Sequence, residues 1–293
     1  MFLQQVFSGL SLGGIYALIA LGYTMVYGIL FFVNFAHGDV FMLGTYFALF
    51  TFTFLGSSRE LTLIQLLLGI GVAMILCATI GVVIEKIAYK PIRKGSRLAA
   101  MISALGVSLV LSNSAMWLWG SQTRPMPKIF SGQYITIWGA VVSYIQIVIL
   151  LVCIVLMIAL HLFIKTTKIG KAIRAVSDDQ EAALLMGINL SKIISITFAI
   201  GSALAGAAGV LVGVYYGAVY PTMGYFAGLK AFTAAIMGGI GNIPGAMIGG
   251  LILGLIESLG GAYISFGYRD AIAFSVLILV LLISPKGLLR KGR

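Results

Sequence analysis

A chain of 293 residues with 60% hydrophobic and only 9% charged side chains cannot cover a water-facing surface, because ordinary globular domains carry about 25% charged residues. Its formal charge of +11 would suit an acidic partner, yet fourteen of the nineteen basic residues lie in three short segments beside apolar runs. That leaves no soluble platform on which a nucleic acid could bind.

The apolar runs fall at about 6–30, 34–55, 61–84, 99–119, 138–164, 191–217, 228–262 and 270–284. Stretches of roughly 20 apolar residues cross a bilayer as helices that satisfy their own backbone hydrogen bonds. The run at 228–262 is long enough for two broken spans or a re-entrant hairpin. The prediction is an all-α integral membrane protein, one polytopic helical bundle over 1–293 with eight or nine membrane-embedded segments. No Lys or Arg precedes Arg59, so the basic start of a signal peptide is missing.

The basic residues divide into a loop near 85–98 (Lys86, Lys90, Arg93, Lys94, Arg97), a second near 165–190 (Lys165, Lys168, Lys171, Arg174, with Lys192 beside it) and the tail 285–293 (Lys286, Arg290, Lys291, Arg293). Cationic loops stay on the cytoplasmic side, so all three are expected there. The sixth run then rises from the cytoplasm and the last returns to it. The side of the N-terminus depends on whether 34–55 crosses or turns back, which charge leaves open.

Two segments break the helical pattern within apolar sequence. "NFAHGDVFMLG" holds Asn34, His37, Gly38 and Asp39, and "GGIGNIPGAMIGG" holds Gly241, Asn242, Pro244 and Gly245. Irregular backbone at membrane depth is tolerated where it is buried in protein or lines a wet cavity. A carboxylate there is costly and marks a functional candidate. Both segments are therefore expected as translocation-path or re-entrant turns, with helix capping by Asp39 as the structural alternative. Gly201, Ala205, Gly209, Gly213 and Gly217 recur at every fourth position, a face along which a second helix can pack closely. Cys77 and Cys153 sit in apolar runs and read as small core residues, and His37 and His161 stand apart from other metal ligands.

Asp178, Asp179 and Glu181 are three of only eight acidic residues in the chain. The run from about 178 to 189 reads as a short cytoplasmic helix with acids at its positive end. Ala182, Leu185 and Met186 form an apolar stripe, and Gly187 ends the helix. An acidic start is repelled by anionic lipid headgroups, so a protein groove is the better partner. No phosphate-cradling GxxxxGK[ST] occurs, and neither does HExxH or CxxC, so zinc-protease and thiol-redox chemistry have no anchor and no cofactor site is read. If transport is ATP-driven, ATP and Mg²⁺ are bound by another chain. A self-contained secondary carrier is the other class, with Asp39 and Glu257 as its membrane carboxylates.

"EAALLMG" (Glu181, Ala182, Ala183, Gly187) resembles the EAA–Gly loop of ABC-importer permeases, although "TFAI" at Thr197–Ile200 stands where that family carries Ile-x-Leu-Pro. "GLSLGGIYALIALGYTMVYGILFFVNFAHGDVFMLGTY", "EKIAYKPIRKGSRLAAMISALGVSLVLSN" and "GLKAFTAAIMGGIGNIPGAMIGGLILGLIESL" extend the likeness. Over nearly the whole chain it resembles the LivH-type permeases of high-affinity branched-chain amino acid importers. The resemblance implies an ABC-importer permease fold in the bacterial inner membrane, with no ATPase activity of its own. It also implies a second related permease, two ABC ATPase subunits and an extracytoplasmic binding protein as partners. Leucine, isoleucine and valine are the implied solutes, with urea, short amides or other amino acids as the alternative, and the coupling helix falls at about 178–189.

Overall fold

The computed structural model describes residues 2–56, 60–93, 95–130, 132–137, 139–284 and 287. Arg59, Lys94, the side chain of Arg97 and the basic residues of the tail at 285–293, whose sidedness the sequence addressed, lie outside the described residues.

The described residues form eleven α-helices: α1 (Phe2–Leu30), α2 (His37–Phe54), α3 (Leu63–Ile84), α4 (Arg97–Trp119), α5 (Tyr144–Thr166), α6 (Lys168–Asp178), α7 (Gln180–Leu185), α8 (Leu190–Tyr216), α9 (Met223–Gly238), α10 (Ile243–Tyr263) and α11 (Arg269–Ile283). A π-helical turn, Glu85–Tyr89, extends α3. Among the described residues, seven helical stretches are long and apolar enough to cross a membrane. α2 and α9, at 18 and 16 residues, reach only about 27 and 24 Å at 1.5 Å per residue, short of a hydrocarbon core of about 30 Å. α11 is shorter still, at 15 residues, but α2 and α9 meet at their first turns through Gly38 and Gly224 and are the discontinuous members of the bundle.

The long run at 228–262 resolves into two helices, because Gly239 and Gly241 adopt positive φ and Asn242 caps α10, its Oδ1 accepting from Gly245 N–H at 3.2 Å. The run at 138–164 also divides: its start forms the second strand of an antiparallel hairpin, β1 (Tyr134–Ile137) and β2 (Ala140–Ser143). α5 then begins where Gln146 Oε1 accepts from Ser143 N–H at 3.2 Å. Short strand pairs near 60 and 128, and near 124 and 218, complete that end of the bundle.

Close glycine contacts build the centre. A Cβ on Gly13 or Gly9 of α1 would meet the α10 backbone at 2.8–2.9 Å, so these antiparallel helices touch backbone to backbone. Gly206 of α8 meets Ala73 O of α3, and Gly209 meets Phe41 O of α2. With no hydrophobic drive between helices in lipid, such packing supplies the association energy. α1, α2 and α8 fill the core, while α4 and α11 lie at the rim with Leu109, Val110, Leu282 and other large apolar side chains exposed.

The two ends differ in charge. Lys86 and Lys90 of the π-helical turn share a surface depression with Lys192, while Lys165 and Arg174 border another with the Gly241–Pro244 turn. The C-terminus of α1 lies at this basic end, because Ser177 Oγ donates to Gly28 O at 2.7 Å and Gln180 Nε2 to Ile29 O at 2.6 Å. The N-terminus of α1 therefore lies at the opposite end, which the charge pattern could not decide. α2 starts inside the bundle and runs away from the basic end, so the segment between α1 and α2 turns back.

Candidate functional site

At the basic end the short charged run forms two helices. Asp178 closes α6, and Asp179 is the N-cap of α7, its Oδ1 accepting from Glu181 and Ala182 N–H at 2.8 and 3.0 Å. The single helix expected over 178–189 is therefore corrected to Gln180–Leu185, because Asp179 leaves helical geometry with φ −154 and ψ 114. Gly187 sits at φ +81, a conformation that a β-branched residue tolerates poorly, and Ile188 N–H closes the turn onto Ala183 O at 3.0 Å. Ala183 packs inward, while Leu185 and Met186 are 88% and 83% exposed. Ala182 shares that outer face. An apolar tip thus projects from a helix whose root is bonded to α1.

The first break, between α1 and α2, is built by buried polar groups. Tyr89 Oη of the π-helical turn donates to Asn34 Oδ1 at 2.6 Å. His37 stands edge-on to the Tyr23 ring, centroids 4.8 Å apart, and fills the space that glycine at 22 leaves open. Gly38 meets Gly224 and Gly228, so the first turns of the two discontinuous helices touch. Asp39 does not cap α2: the N-cap is Ala36 without a side-chain bond. Its Oδ1 instead accepts from Ser112 Oγ of α4 at 2.6 Å.

The second segment, Gly238–Gly250, lies elsewhere. Gly241 faces Gly28, two residues before the end of α1, so the turn with Asn242, Pro244 and Gly245 belongs to the basic end rather than to the bundle centre. Gly245 and Gly238 are in backbone contact, an approach that a side chain at either position would block. A groove of about 380 Å³ borders this turn, lined by His161, Lys165 and Arg174 among others.

Sequence reasoning missed two buried ionic clusters. Glu85, fully buried, takes Ser195 Oγ of α8 at 2.6 Å and is paired with Arg93. Lys230 of α9, 7% exposed, lies 2.8 Å from Glu257 Oε1 of α10 and 2.7 Å from Asp270 Oδ1 of α11. Glu257 Oε2 also accepts from Tyr16 Oη at 2.9 Å. The signal was present: a lone Lys inside the same apolar run as Glu257 predicts a pair, since isolated charges in hydrocarbon are prohibitive. Glu257, one of two carboxylates available to an ion-coupled carrier, is thus already matched by a fixed cation.

A polytopic bundle with two discontinuous helices, buried polar clusters and an exposed helix at its basic end defines a membrane transport subunit. The model of the family "Branched-chain amino acid transport system / permease component" matches residues 5–283, and the chain belongs to that family. It is 47% identical to the high-affinity branched-chain amino acid transport system permease protein LivH of Salmonella typhimurium and 46% to that of Escherichia coli (strain K12), each over 98% of this chain and 95% of the relative. The corresponding permease BraD of Pseudomonas aeruginosa is 44% identical over the same shares. The chain is a multi-pass membrane permease of the ABC class, in which the permease subunit carries no ATPase activity.

Proposed function

We propose that this permease moves leucine, isoleucine and valine inward across the bacterial cytoplasmic membrane. A second related permease completes the pore, two ABC ATPases bind ATP and Mg²⁺, and an extracytoplasmic binding protein delivers the solute. The basic end faces the cytoplasm, as cationic loops do, and α7 is the coupling helix. The observation that carries this reading is the exposed Leu185–Met186 tip on a helix clipped to α1 through Gln180 and Ile29. An apolar anchor in an otherwise charged loop suits a groove on a partner, and the clip gives the partner's motion a rigid route into the bundle. The turn holding Asn34, His37, Gly38 and Asp39 sets the start of α2 beside α9, where discontinuous helices meet solute in other transporters.

Reconstitution tests this directly. The permease alone, under an imposed proton or sodium gradient, should accumulate no labelled leucine. With partner ATPases, binding protein and ATP it should. Gradient-driven accumulation by the single chain would make it a secondary carrier, and accumulation of urea without leucine by the full complex would move it to the amide importers.

A further inference from the structure

The Lys230 cluster opens onto a cleft of about 320 Å³ at the end opposite the basic loops, within the size range of small-molecule sites. One wall is apolar, formed by Leu12, Phe41, Val212 and Phe226. Lys230, Asp270, Tyr16 and Tyr216 supply the polar lining of the cleft. Lys230 is nearly inaccessible from outside, whereas the Asp270 side chain is 54% exposed, and a 2.7 Å ion pair joins the buried cation to the exposed carboxylate. Arg269, next to Asp270, lies over the Phe266 ring at 4.8 Å and adds a second cation there. Two cations and two carboxylates leave the region formally neutral.

Packing alone gives little reason for this arrangement. Replacing a buried ion pair by apolar residues of similar volume is often neutral or stabilising, and the surrounding helices are apolar enough to supply them. Paired charges of both signs beside an apolar wall are what a free amino acid requires. Its ammonium and carboxylate each lose water on entering, and each needs a charged partner in return.

We infer that this cleft is the solute subsite of the permease and that it selects a zwitterionic amino acid with an apolar side chain. The solute exchanges into the Lys230–Asp270 ion pair: Asp270 receives the ammonium, Lys230, still held by Glu257, receives the carboxylate, and Leu12, Phe41, Val212 and Phe226 receive the side chain. The first turn of α9 forms part of the cleft and touches Gly38 of α2, which ties occupancy to the junction of the two discontinuous helices. This inference rests on the importer reading above.

The experiment uses the complete transporter in proteoliposomes, with saturating leucine-loaded binding protein, and a diazirine analogue of leucine as a photoprobe. The probe should label cleft-lining residues of α1, α2, α8 or α9 and be chased by excess leucine. Asp270→Asn should cut leucine uptake tenfold or more while binding-protein-stimulated ATP hydrolysis persists, raising the ATP consumed per leucine. Lys230→Met with Glu257→Gln removes the buried pair together, avoiding an orphaned charge, and should do the same. A purely structural role would leave the ATP cost per leucine unchanged. Labelling confined to other surfaces, or unaltered uptake by Asp270→Asn, overturns the subsite alone. A wild-type complex that carries urea but no leucine overturns the importer reading and the subsite with it.

Discussion

Ser112 of α4 donates to Asp39 of α2 at 2.6 Å, so the membrane carboxylate is held by a rim helix rather than standing free. Asp39 also lies in the first turn of α2, where the positive helix end favours an anion. Asparagine keeps the acceptor and loses only the charge. Asp39→Asn should therefore retain assembly and near-normal uptake, whereas Asp39→Leu should cost about 1.5–3 kcal/mol, the worth of a hydrogen bond to a charged group. Thermal unfolding of the detergent-solubilised complex measures the second effect. Collapse of uptake in Asp39→Asn at normal abundance would show that the charge itself serves the path.

The clip between α7 and α1 places the two termini of α1 on opposite faces. A cysteine at Gln4 should react with a membrane-impermeant maleimide in intact cells, and one at Glu181 only after permeabilisation. The native cysteines give little background, since Cys77 and Cys153 are buried. Labelling at position 181 but not at position 4 in intact cells would reverse the orientation.

Much of this architecture was legible in the sequence because membrane spans obey one strong rule: long apolar runs must be helical. The exposed helix near 178–189 was also legible, since acids so scarce elsewhere stand out. Its true start was not, because Asp178 and Asp179 both make good caps and only backbone geometry chooses between them. The depth of a break was likewise hidden. Gly238–Gly250 and Asn34–Gly44 look alike as interruptions, yet only contact with Gly28 or with α9 says which lies at an end. Lys230 was legible as half of a pair with Glu257 in the same apolar run, but its contact with Asp270 was not, because only the fold brings α11 to it.

Glu85 secures the π-helical turn to α8 through Ser195 while pairing with Arg93. Glu85→Gln keeps hydrogen bonds but removes the countercharge of Arg93, which is partly exposed and can reach water, so the loss should be modest. Glu85→Leu leaves Ser195 and Arg93 without their acceptor and should lower stability by about 1–3 kcal/mol. The variants should rank wild type, Gln, Leu in thermal midpoint. A leucine variant as stable as wild type would show that the latch contributes nothing.

As the proposed coupling helix, α7 must supply both an anchor and fixed geometry, and the two can be damaged separately. Gly187 holds φ +81, and valine there must either strain or redirect the chain toward α8. Gly187→Val should insert and bind ATPase subunits, yet solute should no longer stimulate ATP hydrolysis and uptake should collapse. Leu185→Asp changes no backbone angle, but buries a charge in an apolar groove at a cost of a few kcal/mol. ATPase subunits should then dissociate during purification. Gln180→Leu cuts the bond to Ile29 O while sparing the exposed tip, so docking should survive and uptake per ATP should fall. Co-purification reads the anchor, and the ratio of uptake to hydrolysis reads the geometry. If all three variants keep normal association and a normal ratio, α7 is a surface loop without a transmitting role, and the ATPases must engage another part of the basic end.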